Sequence, residues 1–126
     1  DGDFTVTGAM MITGVRQPDA IGRLGGWDAV VKHPGAGAWA SQVLRADSFD
    51  VPYRCLVPRE VEGLLVGSGR SVSSENPWLL RAMVQTLVVG QGAGAAAAIA
   101  SKAGTTPREV DIAAVQAELR RPGVEL

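Results

Sequence analysis

The sequence predicts an α/β fold, one that reads as α+β when the chain is taken in isolation. Three observations carry this. Phe49, Val51, Tyr53, Cys55 and Val57 recur at every second position, the spacing of a strand with one apolar face. Gly63-Leu-Leu-Val-Gly67 is short, apolar on both sides and closed by glycine, as a buried strand of a parallel sheet would be. From Ala82 to Ser101 there is no charged residue and alanine dominates the second half, the texture of a helix buried on nearly every side.

Each element can be justified in chain order. Phe4-Thr-Val-Thr-Gly-Ala-Met-Met-Ile12 reads as a strand interrupted at Gly8. Residues 14–48 are rich in Gly, Pro and Trp and predict only short helical turns, a length of loop that usually marks function or a partner surface. In the strand from Phe49, Pro52 predicts an edge or a break in pairing. The uncharged stretch is long enough to span a bilayer, but Gln85, Thr86, Gln91, its three glycines and its weakly hydrophobic alanines argue for a core helix instead. Thr106-Pro107-Arg108-Glu109 matches a capping box with Pro at the first helical position, and Asp111 offers a second cap, so the box closes one turn only. Ile112, Val115 and Leu119 then share a helical face that Pro122-Gly123 terminates. Two units follow, 1–58 with strands and partner-facing loops, and 59–126 with the strand 63–67, a long helix about 81–103 and a final helix about 107–121.

Composition bounds the function. At 126 residues the chain is one domain at most. Twelve basic residues against 13 acidic ones give a net charge of −1, with no electrostatic footprint for nucleic acid or an anionic membrane. A single cysteine, Cys55, excludes an internal disulfide, and a single histidine, His33, removes the usual zinc constellations, so no metal is expected. One cysteine suits the cytoplasm, the compartment expected here. The chain opens at Asp1 without an initiator methionine or a leader, which reads as a piece of something larger.

The strongest chemical unit is Leu64-Leu-Val-Gly-Ser-Gly-Arg-Ser71, followed by the glycine-spaced helix. A strand ending in Gly-x-Gly lets a phosphate or ribose approach the backbone, and the helix aims N–H groups and a positive dipole end at it. Val72 replaces the third glycine of the dinucleotide fingerprint, and a tight turn alone would also use these glycines. Gly90, Gly92 and Gly94 each destabilise a helix by about 1 kcal/mol relative to Ala, which close packing explains more readily than a ligand. Arg81, at the helix head where a cation is disfavoured, either reaches solvent or faces an anion. Arg54 reads as an outward strand residue or a substrate clamp, and Glu75 and Asn76 as solvated loop residues or binding groups. His33 is the only imidazole base available, and Cys55 defaults to a small buried hydrophobe.

Asp50-Val-Pro-Tyr-Arg-Cys-Leu-Val-Pro58, Leu64-Leu-Val-Gly-Ser-Gly-Arg70, Arg81-Ala-Met83, Gly90-Gln-Gly-Ala-Gly94 and Thr106-Pro-Arg-Glu-Val-Asp111 form an ordered set. This set resembles the C-terminal part of the FAD-dependent oxidoreductases of the glutathione-reductase-like superfamily, convincingly over 49–124 and loosely over 1–30. The resemblance implies the end of a Rossmann-like FAD domain plus strands of a substrate domain, here in 1–58. The family's N-terminal dinucleotide motif is absent, which implies a larger FAD-binding partner chain, in a hetro-oligomer where this chain is a small subunit or fragment, inert alone. It further implies that Gly69, Arg70 and Ser71 line the ribityl-pyrophosphate region, with Arg81 at the head of the flavin helix. Met83, Val84 and Gln85 would face the flavin pyrimidine edge, and Tyr53, Arg54 and Asn76 the substrate side. The implied reaction is a dehydrogenase-type hydride transfer from an alcohol, sugar or amine C–H to flavin N5. The family's Thr-His-Glu-Ala run is replaced by Ser73-Ser-Glu-Asn-Pro-Trp78, and its Pro-Thr pair by Val84-Gln85. No catalytic base is therefore assigned; His33 and Glu75 are the available candidates. Two other readings stand beside this one, a non-catalytic assembly subunit and a stand-alone nucleotide-binding module.

Overall fold

A computed structural model describes residues 1–25 and 48–126. His33 and most of the glycine-rich loop expected over 14–48 lie outside them.

The first element departs from the sequence reading. Residues 8–13 form a helix, α1 (Gly8–Thr13), not the second half of a strand. Thr7 caps it, its Oγ1 accepting the Met10 N–H at 3.2 Å, and the Glu75 carboxylate accepts the Gly8 N–H at 2.9 Å. With those amides satisfied, the Ala-Met-Met run follows its helical preference. Gly14 ends the helix at φ 67°, and Val6 keeps only a single parallel bridge, to Ser74.

Strand β1 (Ala20–Gly25), inside the stretch expected to be irregular, pairs antiparallel with β2 (Ser48–Pro52). Arg23 lies opposite Asp50 and Leu24 opposite Phe49, with an irregularity between Ala20 and Arg23. The two glycines of β1 disguise it as loop. Gly22 is there because β1 lies on a helix: a Cβ at that position would sit 2.3 Å from the Val88 Cγ1.

Beyond Pro52 the expected strand 49–57 becomes a 3-10 turn, Tyr53–Leu56. Proline cannot donate to the ladder, and pairing stops at Ala20↔Pro52. The alternating pattern is nonetheless buried, because Asp50, Pro52 and Leu56 are buried along with Phe49, Val51, Tyr53, Cys55 and Val57. Residues 63–67 form no strand either. The sheet has two strands among the described residues, neither of them alongside this segment, and Val66 is held by one bond to the Leu56 carbonyl, 2.9 Å.

Helix α2 (Met83–Ala103) matches the expected long helix, and Gly104 closes it at φ 67°. It is buried on one face only, through Gln85, Val89, Gly92, Ala93, Ala96 and Ala100, while Met83, Val84 and Leu87 are 82%, 67% and 71% exposed. By length and composition it is apolar enough to cross a membrane, yet its buried face packs on β1 and on helix α3 (Ile112–Arg120). Gly92 belongs to that contact: a Cβ there would meet the Ile21 Cδ1 at 2.4 Å.

The C-terminal reading holds in detail. The Glu109 carboxylate accepts the Thr106 N–H at 3.3 Å and closes the single turn Pro107–Glu109. Asp111 then caps α3, its Oδ1 accepting from the Ala113 N–H at 2.9 Å. Val115 and Leu119 enter the core, Ile112 packs against it, and Gly123 follows the helix at φ 94°. The architecture is thus α+β, a two-stranded sheet laid on a long helix with short elements filling one core.

Candidate functional site

The site candidates converge where residues 67–71 meet the start of α2. Ser68 closes the turn: its carbonyl accepts the N–H groups of Ser71 (3.0 Å) and Val72 (3.2 Å), and its Oγ accepts the Arg70 N–H (3.3 Å). At Gly69 the chain touches the 3-10 turn Pro77–Leu80 so closely that a Cβ would lie 1.9 Å from the Leu80 carbonyl oxygen. Only glycine fits. Arg70 adds a second contact to the same segment, its Nε donating to the Arg81 carbonyl at 3.4 Å. Gly67 passes over the middle of α2, where a Cβ at Gly90 would stand 3.4 Å from its carbonyl oxygen.

Ala82, the N-cap of α2, has no side chain able to accept a hydrogen bond. The Thr86 N–H donates to the Ala82 carbonyl at 3.0 Å, opening the ladder of the helix. The positive end of the helix macrodipole lies here. Beside it lie the exposed apolar side chains of Met83 and Val84, with Leu87 one turn on. Gln85 is buried in the opposite direction, 3% exposed. Gly69 and Arg70 are therefore brought against Leu80 and Arg81, which lead into Met83 and Val84, while Ser71 faces the cavity described below. Leu87 joins them without having been singled out in the sequence; its spacing of four from Met83 was the available signal.

The other candidates have partners elsewhere. The Tyr53 hydroxyl donates to the Pro107 carbonyl at 2.6 Å, and burial pushes its pKa up to about 12. Arg54 holds Asp19 through two nitrogens, Nε to Oδ2 at 2.8 Å and NH2 to Oδ1 at 3.1 Å, and lies 4.4 Å over the Phe4 ring. The bond to Asp19 pushes the guanidinium pKa further up. Glu75 serves the start of α1, as described. The Asn76 N–H is bonded to the Ser74 Oγ at 3.1 Å, while its Oδ1 is buried without a hydrogen-bond partner. Cys55 is a core residue: its thiol donates to the Pro52 carbonyl at 2.9 Å, and burial pushes its pKa up to about 12.

A cavity of about 420 Å³ opens behind the turn, lined in part by Thr5, Ser71, Ser73 and Glu75. Its polar groups already serve one another, as in the 2.9 Å contact between the Thr5 and Ser73 hydroxyls. Among the described residues no three His, Cys, Asp or Glu side chains group as metal ligands. Missed in the sequence was buried Asp50, which accepts the Gln17 N–H at 2.8 Å and pairs with Arg16 at 3.2 Å and Arg23 at 3.7 Å.

A family model described as FAD dependent oxidoreductase matches residues 1–119. Neither the curated proteins nor the solved structures give a match to the chain.

Proposed function

The chain belongs to the FAD dependent oxidoreductase family, whose cofactor is FAD, and from that premise we propose that it completes a flavin site whose nucleotide-binding half lies on a larger partner chain. The observation that carries this reading is the start of α2, the positive end of a 21-residue helix, set against the Gly69–Arg70 turn and edged by the exposed side chains of Met83, Val84 and Leu87. Those groups suit a flavin. The helix start matches the carbonyl edge of its pyrimidine ring, and the exposed apolar side chains match its flat surface. The ADP half needs a glycine-rich strand-to-helix turn, and Gly67-Ser-Gly-Arg-Ser-Val72 lacks both the third glycine and the immediate helix.

FAD, when bound, would supply the redox chemistry of a hydride transfer from an alcohol, sugar or amine C–H. This chain's residues orient and polarise. The first turn of α2 would favour negative charge at the pyrimidine edge, and Met83, Val84 and Leu87 would keep water from the ring. Ser71 and the backbone at Gly69 would border the linker to the phosphates.

Native mass spectrometry with an absorbance spectrum, on the protein purified from its own source, tests the reading. Travel with a larger polypeptide that carries flavin supports it. A folded, colourless, solitary chain refutes it. Met83→Glu places a carboxylate beside the electropositive helix end and under the ring, and is expected to lower flavin content at least tenfold. Unchanged flavin content in that variant would favour a purely structural subunit.

A further inference from the structure

We infer that Leu64–Gly67 is an open strand edge, completed by one apolar β-strand of the larger partner chain that runs parallel to it. The partner's identity rests on the flavin reading above; the open edge does not. Gly63-Leu-Leu-Val-Gly67 has the composition of a strand, yet residues 64–67 are neither helix, strand nor turn. One main-chain bond reaches the segment, from the Val66 N–H to the Leu56 carbonyl at 2.9 Å. Among the described residues, the N–H and C=O groups of Leu64, Leu65 and Gly67 have no hydrogen-bond partner. Nor is the segment withdrawn from the surface: Leu64 and Gly67 are exposed, and Leu65 and Val66 only partly buried. An apolar run with unpaired backbone at the surface is a template for strand addition.

The unpaired groups select the occupant. A bilayer covers apolar side chains but offers no donor or acceptor to backbone, and a helix uses its own backbone bonds internally. An extended chain supplies both. No charge stands between Glu62 and Arg70, or between Arg81 and Lys102, so the strand that fits is uncharged as well. Helix α2 provides its bed. A Cβ at Gly90 would meet the Gly67 carbonyl oxygen at 3.4 Å, whereas at Gly94, one turn on, a Cβ would meet nothing within 4 Å. A groove of about 410 Å³ shares Gly90 with that crossing and continues past Gly94 and Ala98, small residues that let a main chain come close. Direction follows from the ligand. Residues 64–67 run into the Gly67–Ser68–Gly69 turn at their C-terminal end, and a nucleotide-binding turn likewise follows the C-terminal end of its strand. One FAD reaches both turns when the two strands point the same way. A second copy of this chain would pair its own segment about a twofold axis, antiparallel, and carry the two turns to opposite ends.

The edge is probed in the protein together with the chain it purifies with. In that complex the Leu65 and Gly67 amides exchange at least about a hundredfold more slowly than unstructured backbone, although no described residue of this chain accepts from them. Leu64→Lys, at an exposed position, weakens association at least about tenfold, as a charge buried in an apolar contact predicts, while Leu64→Val associates as the wild type does. A photoreactive phenylalanine placed in turn at positions 64 and 67 crosslinks to one uncharged segment of the larger chain, in the same order along it. The reverse order overturns the parallel pairing. Fast exchange at Leu65 and Gly67 in a complex that holds its flavin overturns the pairing itself and leaves the flavin reading standing. Wild-type association by Leu64→Lys overturns it too, as does a crosslink to a helix, to lipid or to a second copy of this chain. Slow exchange with a crosslink to a larger chain that carries no flavin keeps the pairing and refutes the flavin reading. A chain found alone refutes both.

Discussion

Replacing Gly69 with alanine tests the contact on which the site is built. The added Cβ would stand 1.9 Å from the Leu80 carbonyl oxygen and 2.9 Å from its carbon, where ordinary contact begins near 3.4 Å. Both are backbone atoms of a fully buried residue, so no side chain can swing away. The turn and the Pro77–Leu80 segment must separate by more than an ångström. Forced overpacking of this kind destabilises by about 1–3 kcal/mol. The opposing term, a less flexible unfolded chain, is worth about 0.4–1 kcal/mol, and Gly69 has no positive φ to add strain. The net expectation is a loss of about 1.3 kcal/mol, or roughly 5 °C in the melting midpoint for a chain of this size. Gly94→Ala provides the control: its Cβ would meet nothing within 4 Å, and helix propensity favours it by about 1 kcal/mol. Thermal and urea unfolding of the intact protein measure both. A Gly69→Ala midpoint equal to the wild type would refute the close approach, and with it the placement of the turn against α2.

Burial holds the Tyr53 hydroxyl and the Cys55 thiol protonated to about 12 each, above ordinary values of 10.0 and 9.0. The unfolded chain releases those protons first, so stability is full below pH 9 and falls as pH rises from 9 towards 12; Cys55→Ala should delay the onset in an alkaline unfolding series. Tyr53→Phe leaves the Pro107 carbonyl without its 2.6 Å donor and is expected to lower stability by about 1 kcal/mol in urea titration. Asp111→Ala removes the α3 cap, again about 1 kcal/mol, with faster amide exchange confined to the first turn of that helix. Asp50→Leu strands the Gln17 N–H and brings Arg16 and Arg23 together without their shared carboxylate, for an expected loss of about 3 kcal/mol by the same titration.

The ordered motifs of 49–111 were enough to point to FAD, and the glycine turn and helix head were legible as neighbours in function. Less legible was what Gly69 is for. Its reason is Leu80, eleven residues on, and nothing in Gly67-Ser-Gly69 distinguishes a glycine that admits a phosphate from one that admits a carbonyl. Tyr53 read as part of a strand's apolar face and Arg54 as its outward neighbour, with the family likeness implying a substrate side for both. Pro107 and Asp19, distant in sequence, take their polar atoms.

The sequence by itself determined the elements whose hydrogen bonds close within a few residues. The extent of α2, its end at Gly104, the one-turn box at Thr106–Glu109 and the Asp111 cap are all of this kind, because helix and cap bonds join positions two to five apart. Tertiary structure decided everything that needs a distant partner. β1 exists because β2 pairs with it and α2 receives its glycine; 63–67 stays unpaired because no strand lies beside it among the described residues; residues 8–13 coil because Glu75 and Thr7 satisfy the helix start. A strand has no internal hydrogen bonds of its own, so its sequence states a preference and its neighbours settle the outcome. The same holds for the α2 surface, where apolar residues run around the helix and packing against β1 and α3 selects which of them are covered.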